Sequence, residues 1–156
     1  MSNKKALGID FGLKRIGLSL SDDTQTIAFP FKYIPNISLK ETISELKEII
    51  NLENIGLIVI GMPLGLKGKQ TEISLKIDEF VKELENKINL IKNETGSKEI
   101  NIAVYDERFS SVQAQKSLIE QNIKRKKRKQ IVDSVASTFI LQSFLDRQKK
   151  NMQIFS

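Results

Sequence analysis

Four acids at three places in this sequence stand out for the residues beside them. Asp10 closes the apolar run Ala6-Leu7-Gly8-Ile9, the pair Asp106-Glu107 closes Ile102-Ala103-Val104-Tyr105, and Asp133 opens Asp133-Ser134-Val135-Ala136. A carboxylate at the edge of an apolar segment is costly to desolvate unless a cation or hydrogen bonds answer it. Metal-assisted cleavage of a phosphodiester needs two or three carboxylates converging on divalent cations, which activate water and stabilise the leaving oxygen. Asp10, Asp133 and one acid of the pair meet that need. Only one of the pair can serve unless the strand has ended, because neighbours on a strand point to opposite faces.

Each acid also has a plainer reading. Asp133 in the first turn of a helix would be favourable against the macrodipole by ~0.3–1 kcal/mol whatever the function. The Asp106-Glu107 pair could form a strand-end ion pair with Arg108. Asp10 has the weakest such alternative, with only Lys14 or Arg15 nearby in sequence.

Composition narrows the chemistry further. The 156 residues include no His and no Cys, which excludes thiol nucleophiles, thiolate zinc sites, disulfides, imidazole ligands and Ser-His-Asp catalysis. An enzyme built from this sequence must work with carboxylates, Lys, Tyr or water on a metal. Hard oxygen ligands of that kind suit Mg²⁺ or Mn²⁺.

The net charge of +6 is unevenly spread. Up to Glu107 there are 14 Lys and Arg against 16 Asp and Glu, and from Arg108 onward 11 against 3. Such asymmetry favours a polyanionic partner, with a Lys-rich composition as the plainer source, since Lys outnumbers Arg 20 to 5. Its centre is Lys124-Arg125-Lys126-Lys127-Arg128-Lys129, six cations in a row ahead of Asp133. As helix, this run would set cations against the positive end of a dipole, so the expectation is a flexible arm that guides a phosphate backbone. Lys67 and Lys69, among Gly61, Gly65 and Gly68, lie between a strand and a helix, where backbone N–H groups can hold a phosphate. The Gly-Lys-Ser/Thr ending of a P-loop is missing there.

The elements that must position these groups follow from periodicity. Ala6 to Phe11 reads as a buried strand and Gly12 to Arg15 as a turn. Then Ile16, Leu18 and Leu20 alternate with Gly17, Ser19 and Ser21, a strand with one apolar and one small-residue face. The small face suits either the approach of a phosphate or the close packing of a helix. A third strand over Ile27 to Tyr33 completes an antiparallel meander.

Ser38 with Glu41 forms a capping-box pattern ahead of a helix through Ile50. Leu57 to Ile60 reads as a strand, Ile73 to Ile88 as a helix, Ile100 to Tyr105 as a strand, Ser111 to Gln121 as a helix, and Ile131 to Leu145 as a last helix. Three strands followed by alternating helices and strands give one α/β domain over residues 1–156. Its mixed five-stranded sheet combines an antiparallel meander with parallel strands and carries helices on both faces. Function in such sheets gathers beyond the carboxyl ends of the strands, where Asp10 and Asp106-Glu107 fall. The N-terminal apolar stretch is too short for a signal peptide or a membrane span, so a cytoplasmic protein without a membrane partner is expected.

Taken together, these segments resemble the YqgF/RuvX family, whose fold is RNase H-like. The resemblance is carried by Gly8-Ile9-Asp10-Phe11-Gly12-Leu13-Lys14-Arg15-Ile16-Gly17 with Ser21-Asp22, and by Gly61-Met62-Pro63 with Gly68. It continues through Asp106-Glu107-Arg108-Phe109-Ser110-Ser111 with Ala114, then Lys126 to Lys129, Asp133-Ser134-Val135-Ala136 and Ile140-Leu141-Gln142.

The resemblance implies a nuclease that processes the 5′ end of the small-subunit ribosomal RNA precursor. Asp10, Glu107 and Asp133 would be its catalytic and metal-binding acids, with Asp106 as the alternative to Glu107. Lys14, Arg15, Lys67, Lys69, Arg108 and the Lys124 to Lys129 run would bind nucleic acid. Where some related resolvases carry a second helical acid three residues after the first, this sequence has Ala136.

The expected partners are structured RNA, or branched DNA if the activity is that of a Holliday junction resolvase, together with ribosomal particles, and the protein would be a monomer or a homodimer. A non-catalytic RNA-binding factor in ribosome assembly is the alternative from another class. Asp10-x-Gly12 through Gly17 also resembles the phosphate motif of actin-like and sugar-kinase ATPases. Those enzymes close two large domains over their nucleotide, and only one domain is read here.

Overall fold

The computed structural model describes residues 4–62, 72–95, 99–106 and 125–155, with side chains of the last segment described for residues 134–150. Five strands, β1 (Lys5–Phe11), β2 (Arg15–Ser21), β3 (Ala28–Pro35), β4 (Ile55–Met62) and β5 (Asn101–Asp106), alternate in part with helices α1 (Leu39–Leu52) and α2 (Glu72–Thr95), and α3 (Arg125–Phe155) follows. The sheet order is β3-β2-β1-β4-β5. The first three strands are antiparallel, and β4 runs parallel to both β1 and β5.

The meander, the mixed sheet and the order of the described helices agree with expectation, while the third strand lies at Ala28–Pro35 and β4 extends to Ile55–Met62. The expected helix over Ser111 to Gln121 lies outside the described residues. No helix among the described residues is long and apolar enough to cross a membrane.

Local chemistry sets the element boundaries. Ser38 caps α1, its Oγ accepting from the Glu41 N–H at 3.2 Å. Asn54 ends the same helix in the left-handed region at φ 53°, where Asn is tolerated, and its carbonyl accepts from the Lys5 N–H at 3.1 Å. β4 is buried along all eight residues, as a central strand between parallel neighbours must be. Pro30 and Pro35 lie on the edge strand β3, where a missing N–H is tolerated and further pairing is discouraged.

Alternation divides the sheet into two faces. Leu7, Ile9, Phe11, Ile16, Leu18, Ile58, Ile60 and Met62 join one apolar core with Ile43, Leu46, Ile49 and Ile50 of α1 and Ile77, Phe80, Leu84 and Ile88 of α2. The Phe11 and Phe80 rings meet there at 5.1 Å. The opposite face carries Ala6, Leu57, Val59 and Tyr105 under Ala136, Ile140, Leu141 and Leu145 of α3. Tyr105 meets Phe144 edge-on at 6.0 Å.

Candidate active site

Asp10 is opposite Gly17 in the β1–β2 ladder and is buried, with 9% of its surface exposed. Its neighbours in β1, Ile9 and Phe11, belong to the α1/α2 core, so Asp10 lies on the α3 face with Gly8. Gly17 is in turn opposite Tyr33 of β3, which aligns Asp10, Gly17 and Tyr33 across that face.

At Ser19 the small-residue face of β2 packs closely against a helix, as one of its two readings expects. The Ser19 hydroxyl reaches the Ser137 carbonyl and the Ser137 Oγ, each at 2.9 Å, and both serines are wholly buried. Gly8 is opposite Ser19, and a Cβ on Gly8 would stand 2.2 Å from the Ser19 Oγ and 2.8 Å from the Leu141 Cβ. Close approach of α3 therefore requires a glycine at that point.

These contacts fix the direction of α3. Ser137 stands at the level of Gly8 and Ser19, and Gln142 bonds Ala28 and Thr26 near the start of β3. Ala28 is opposite Ser21, whose Oγ accepts from the Ala6 N–H at 2.7 Å. From Ser137 to Gln142, then, α3 travels toward the beginning of β1, antiparallel to it.

In the other direction, position 133 lies one turn before Ser137 on the same helical face, a step of ~6 Å. The two residues from Gly8 to Asp10 cover ~6.6 Å of strand. The backbone therefore brings position 133 back to the level of Asp10. Asp133 is the ninth residue of α3, past the first turn, where the dipole no longer favours an acid.

The flexible arm expected ahead of Asp133 is not observed. Residues 125–129 are the opening turns of α3 and are helical. Arg and Lys are good helix formers, and extending a helix already anchored by packing adds a hydrogen bond per residue, which outweighs the dipole penalty. The run begins ~6 Å beyond position 133 and extends to ~12 Å, past the carboxyl end of β1. Nothing is described of its side chains. Lys124, Lys67, Lys69, Arg108, Glu107 and the glycine loop beyond Met62 lie outside the described residues.

Lys14 and Arg15 stand at the same end of the sheet as Asp10. Their turn is tied to the loop before α1, with the Asn36 N–H donating to the Lys14 carbonyl at 2.9 Å and the Asn36 Nδ2 to the Gly12 carbonyl at 2.8 Å. The turn needs Gly12, because a Cβ there would lie 2.3 Å from the Arg15 carbonyl oxygen.

Of the acidic pair, Asp106 is the one among the described residues. Asp106 is opposite Met62, which packs on the α1/α2 side, and Ile102 of the same strand parity packs there too. Asp106 is thus on the face away from Asp10. Among the described residues no three Asp, Glu, His or Cys groups gather to hold a metal ion, and the Glu107 and Asp133 side chains are outside that set.

Asp22 is structural. Its carboxylate accepts from the Thr26 N–H at 2.8 Å, the Ile27 N–H at 2.9 Å and the Thr24 hydroxyl, closing the β2–β3 turn in which Gln25 adopts φ 55°. The Ile27 N–H foremost, then the Thr24 hydroxyl and the Thr26 N–H, hold this carboxyl well below the usual Asp range.

Sequence reasoning assigned no role to Tyr33, Ser137 or Gln142. Their places depend on the hairpin register and the direction of α3, which residue types alone do not reveal.

A five-stranded mixed sheet with an acid near the end of its first strand and a helix running back over it defines an RNase H-like fold of the resolvase type. T. thermophilus RuvC in complex with a Holliday junction substrate superposes with a TM-score of 0.56 at 12% identity, covering 94% of this chain and 96% of that one. The yeast mitochondrial Holliday junction resolvase gives 0.51 at 14% identity, covering 99% and 87%.

The family model RuvX, described as Holliday junction resolvase, matches residues 4–147. Curated relatives named "Putative pre-16S rRNA nuclease" include one from Maridesulfovibrio salexigens, 40% identical over 92% of this chain and 98% of its own length, and one from Clostridioides difficile, 36% identical over 94% and 96%. The chain belongs to the RuvX family.

Proposed function

We propose that this protein is a metal-dependent nuclease that processes the 5′ end of precursor small-subunit ribosomal RNA, acting in the cytoplasm on RNA alone or in ribosomal particles. The observation that carries the reading is the run of α3 antiparallel to β1, which returns position 133 to the level of the buried Asp10. The names of the relatives support the substrate. Asp10 and Asp133 supply two carboxylates. Glu107 is the third, with Asp106 as its alternative, and the place of Asp106 on the other face supports Glu107.

This all-carboxylate donor set, in a chain without His or Cys, fits Mg²⁺ or Mn²⁺. Bound there, such an ion supplies Lewis-acid stabilisation of the phosphorane charge and activation of water. The remaining work belongs to the chain. Lys14 and Arg15 neutralise phosphates at the carboxyl end of the sheet, and Arg108, Lys67, Lys69 and the cations at 124–129 are further contacts to the phosphate backbone. Ala136, where some related resolvases carry a further acid, is wholly buried and leaves the site with three.

The test is cleavage of precursor ribosomal RNA and of a synthetic four-way DNA junction with Mg²⁺, Mn²⁺ or EDTA, with wild type beside Asp10→Asn. Metal-dependent cleavage of the RNA by wild type alone is expected, and equal cleavage by both proteins overturns the reading. Cleavage of the junction alone, by a dimer, would favour the activity in the family model's description. Binding of RNA without cleavage would favour an assembly factor.

A further inference from the structure

We infer that two polar contacts between α3 and the β2–β3 hairpin set the register of α3 along β1, which makes Ser19, Ser137 and Gln142 positioning residues for the cation site. The inference rests on the reading of Asp10 and Asp133 as ligands.

The first contact is the buried serine pair. The Ser19 hydroxyl has one proton and donates it to the Ser137 carbonyl, so the Ser137 hydroxyl is the donor in the contact between the two Oγ atoms. In the second, the Gln142 Oε1 accepts from the Ala28 N–H at 2.8 Å and the Nε2 donates to the Thr26 carbonyl at 2.9 Å. One side-chain amide thus takes an N–H and a C=O two residues apart where the turn enters β3. The Nε2 also donates to the Asp146 Oδ1 at 3.0 Å, which steadies the amide from its own helix.

These contacts are five residues apart on α3, ~7.5 Å along the axis, so together they fix both translation and rotation. The apolar contacts of this helix cannot do the same. Ala136, Ile140, Leu141 and Leu145 bury area, and the driving force of that burial is without direction. Hydrogen bonds, in contrast, fail once stretched beyond ~3.5 Å or bent below ~120°. A slip of one residue would move position 133 by ~1.5 Å and turn it by ~100°. Carboxylate–cation distances tolerate only about 0.2 Å. The site should therefore register a loosened helix before the fold does.

Removing both hydroxyls together leaves no buried group unpaired and preserves shape, so Ser19→Ala with Ser137→Ala is the cleanest variant. Gln142→Leu tests the second contact. Mn²⁺ affinity is read by electron paramagnetic resonance on the full chain, beside Ile49→Val, which trims the α1/α2 core and does not touch α3. The Mn²⁺ dissociation constant should rise at least about tenfold in the double-serine variant and in Gln142→Leu, the loss typical of second-sphere support, and stay unchanged in Ile49→Val.

Unchanged Mn²⁺ affinity in both α3 variants would overturn the inference and leave the cation site standing. A loss in Ile49→Val as large as in those variants would also overturn it, since general destabilisation would then be the cause. Absence of Mn²⁺ binding in wild type would instead bring down the cation site, and the inference with it.

Discussion

On the α1/α2 side of the sheet nineteen described apolar side chains form the buried core, and Thr42 of α1 and Ser74 of α2 are buried polar residues of its two helices. On the α3 side nine form the core, among Asp10, Ser19, Ser21, Ser137 and a glycine whose Cβ would crowd Ser19 and Leu141. The same strands build both faces, each giving alternate residues to each side. The first face collects non-directional burial, which stabilises in proportion to area. The second adds hydrogen bonds that specify where a helix sits, and so where two acids meet. Stability and chemistry are thereby assigned to opposite sides of one sheet, and variants on each side should separate them.

The largest separation is expected for Asp10→Asn, which should lower cleavage more than about a hundredfold, beyond the loss for an outer-sphere partner, while thermal unfolding stays within a few degrees of wild type. Phe80→Ala, on the other face, should do the reverse. Loss of a fully buried ring costs ~3–5 kcal/mol in denaturant unfolding, with cleavage per folded molecule unchanged. Gly8→Ala should affect both properties. The new methyl meets Ser19 and Leu141, costing ~1–3 kcal/mol by overpacking and displacing α3, so activity falls too.

The smallest effect is expected at Asp22, in the β2–β3 turn. Its folded pKa is depressed, so its contribution is present above the unfolded Asp value of ~3.9 and is lost as pH falls below it. Asp22→Asn should be slightly less stable than wild type at pH 6. The gap should close on acidification, as followed by thermal unfolding across the pH series.

Much of this was legible in the sequence because strand alternation and helical spacing survive in residue order. Asp10 at the end of a buried strand, the meander, and the capped helix at Ser38 needed no tertiary information. The cation run was misread because local electrostatics was weighed without the packed helix downstream that carries it. The small face of β2 was ambiguous because Gly17, Ser19 and Ser21 suit a phosphate or a helix equally, and only tertiary structure shows Ser137 seated against Ser19. Asp106 is separated from Asp10 by a pairing register that no single segment encodes. Asp22 belonged to the family motif without a role, since its partners Thr24, Thr26 and Ile27 become legible only as a turn.

The central claim is that a divalent cation binds on the α3 face at the level of Asp10. Paramagnetic broadening by Mn²⁺ in the ¹⁵N-labelled protein tests it most directly. The account predicts early loss of amide signals around Asp10, Gly17 and positions 133–137, sparing of Leu46 and Leu84 on the opposite face, and abolition of the effect in Asp10→Asn. Broadening centred on the surface acids of α2, or unchanged in Asp10→Asn, would contradict it.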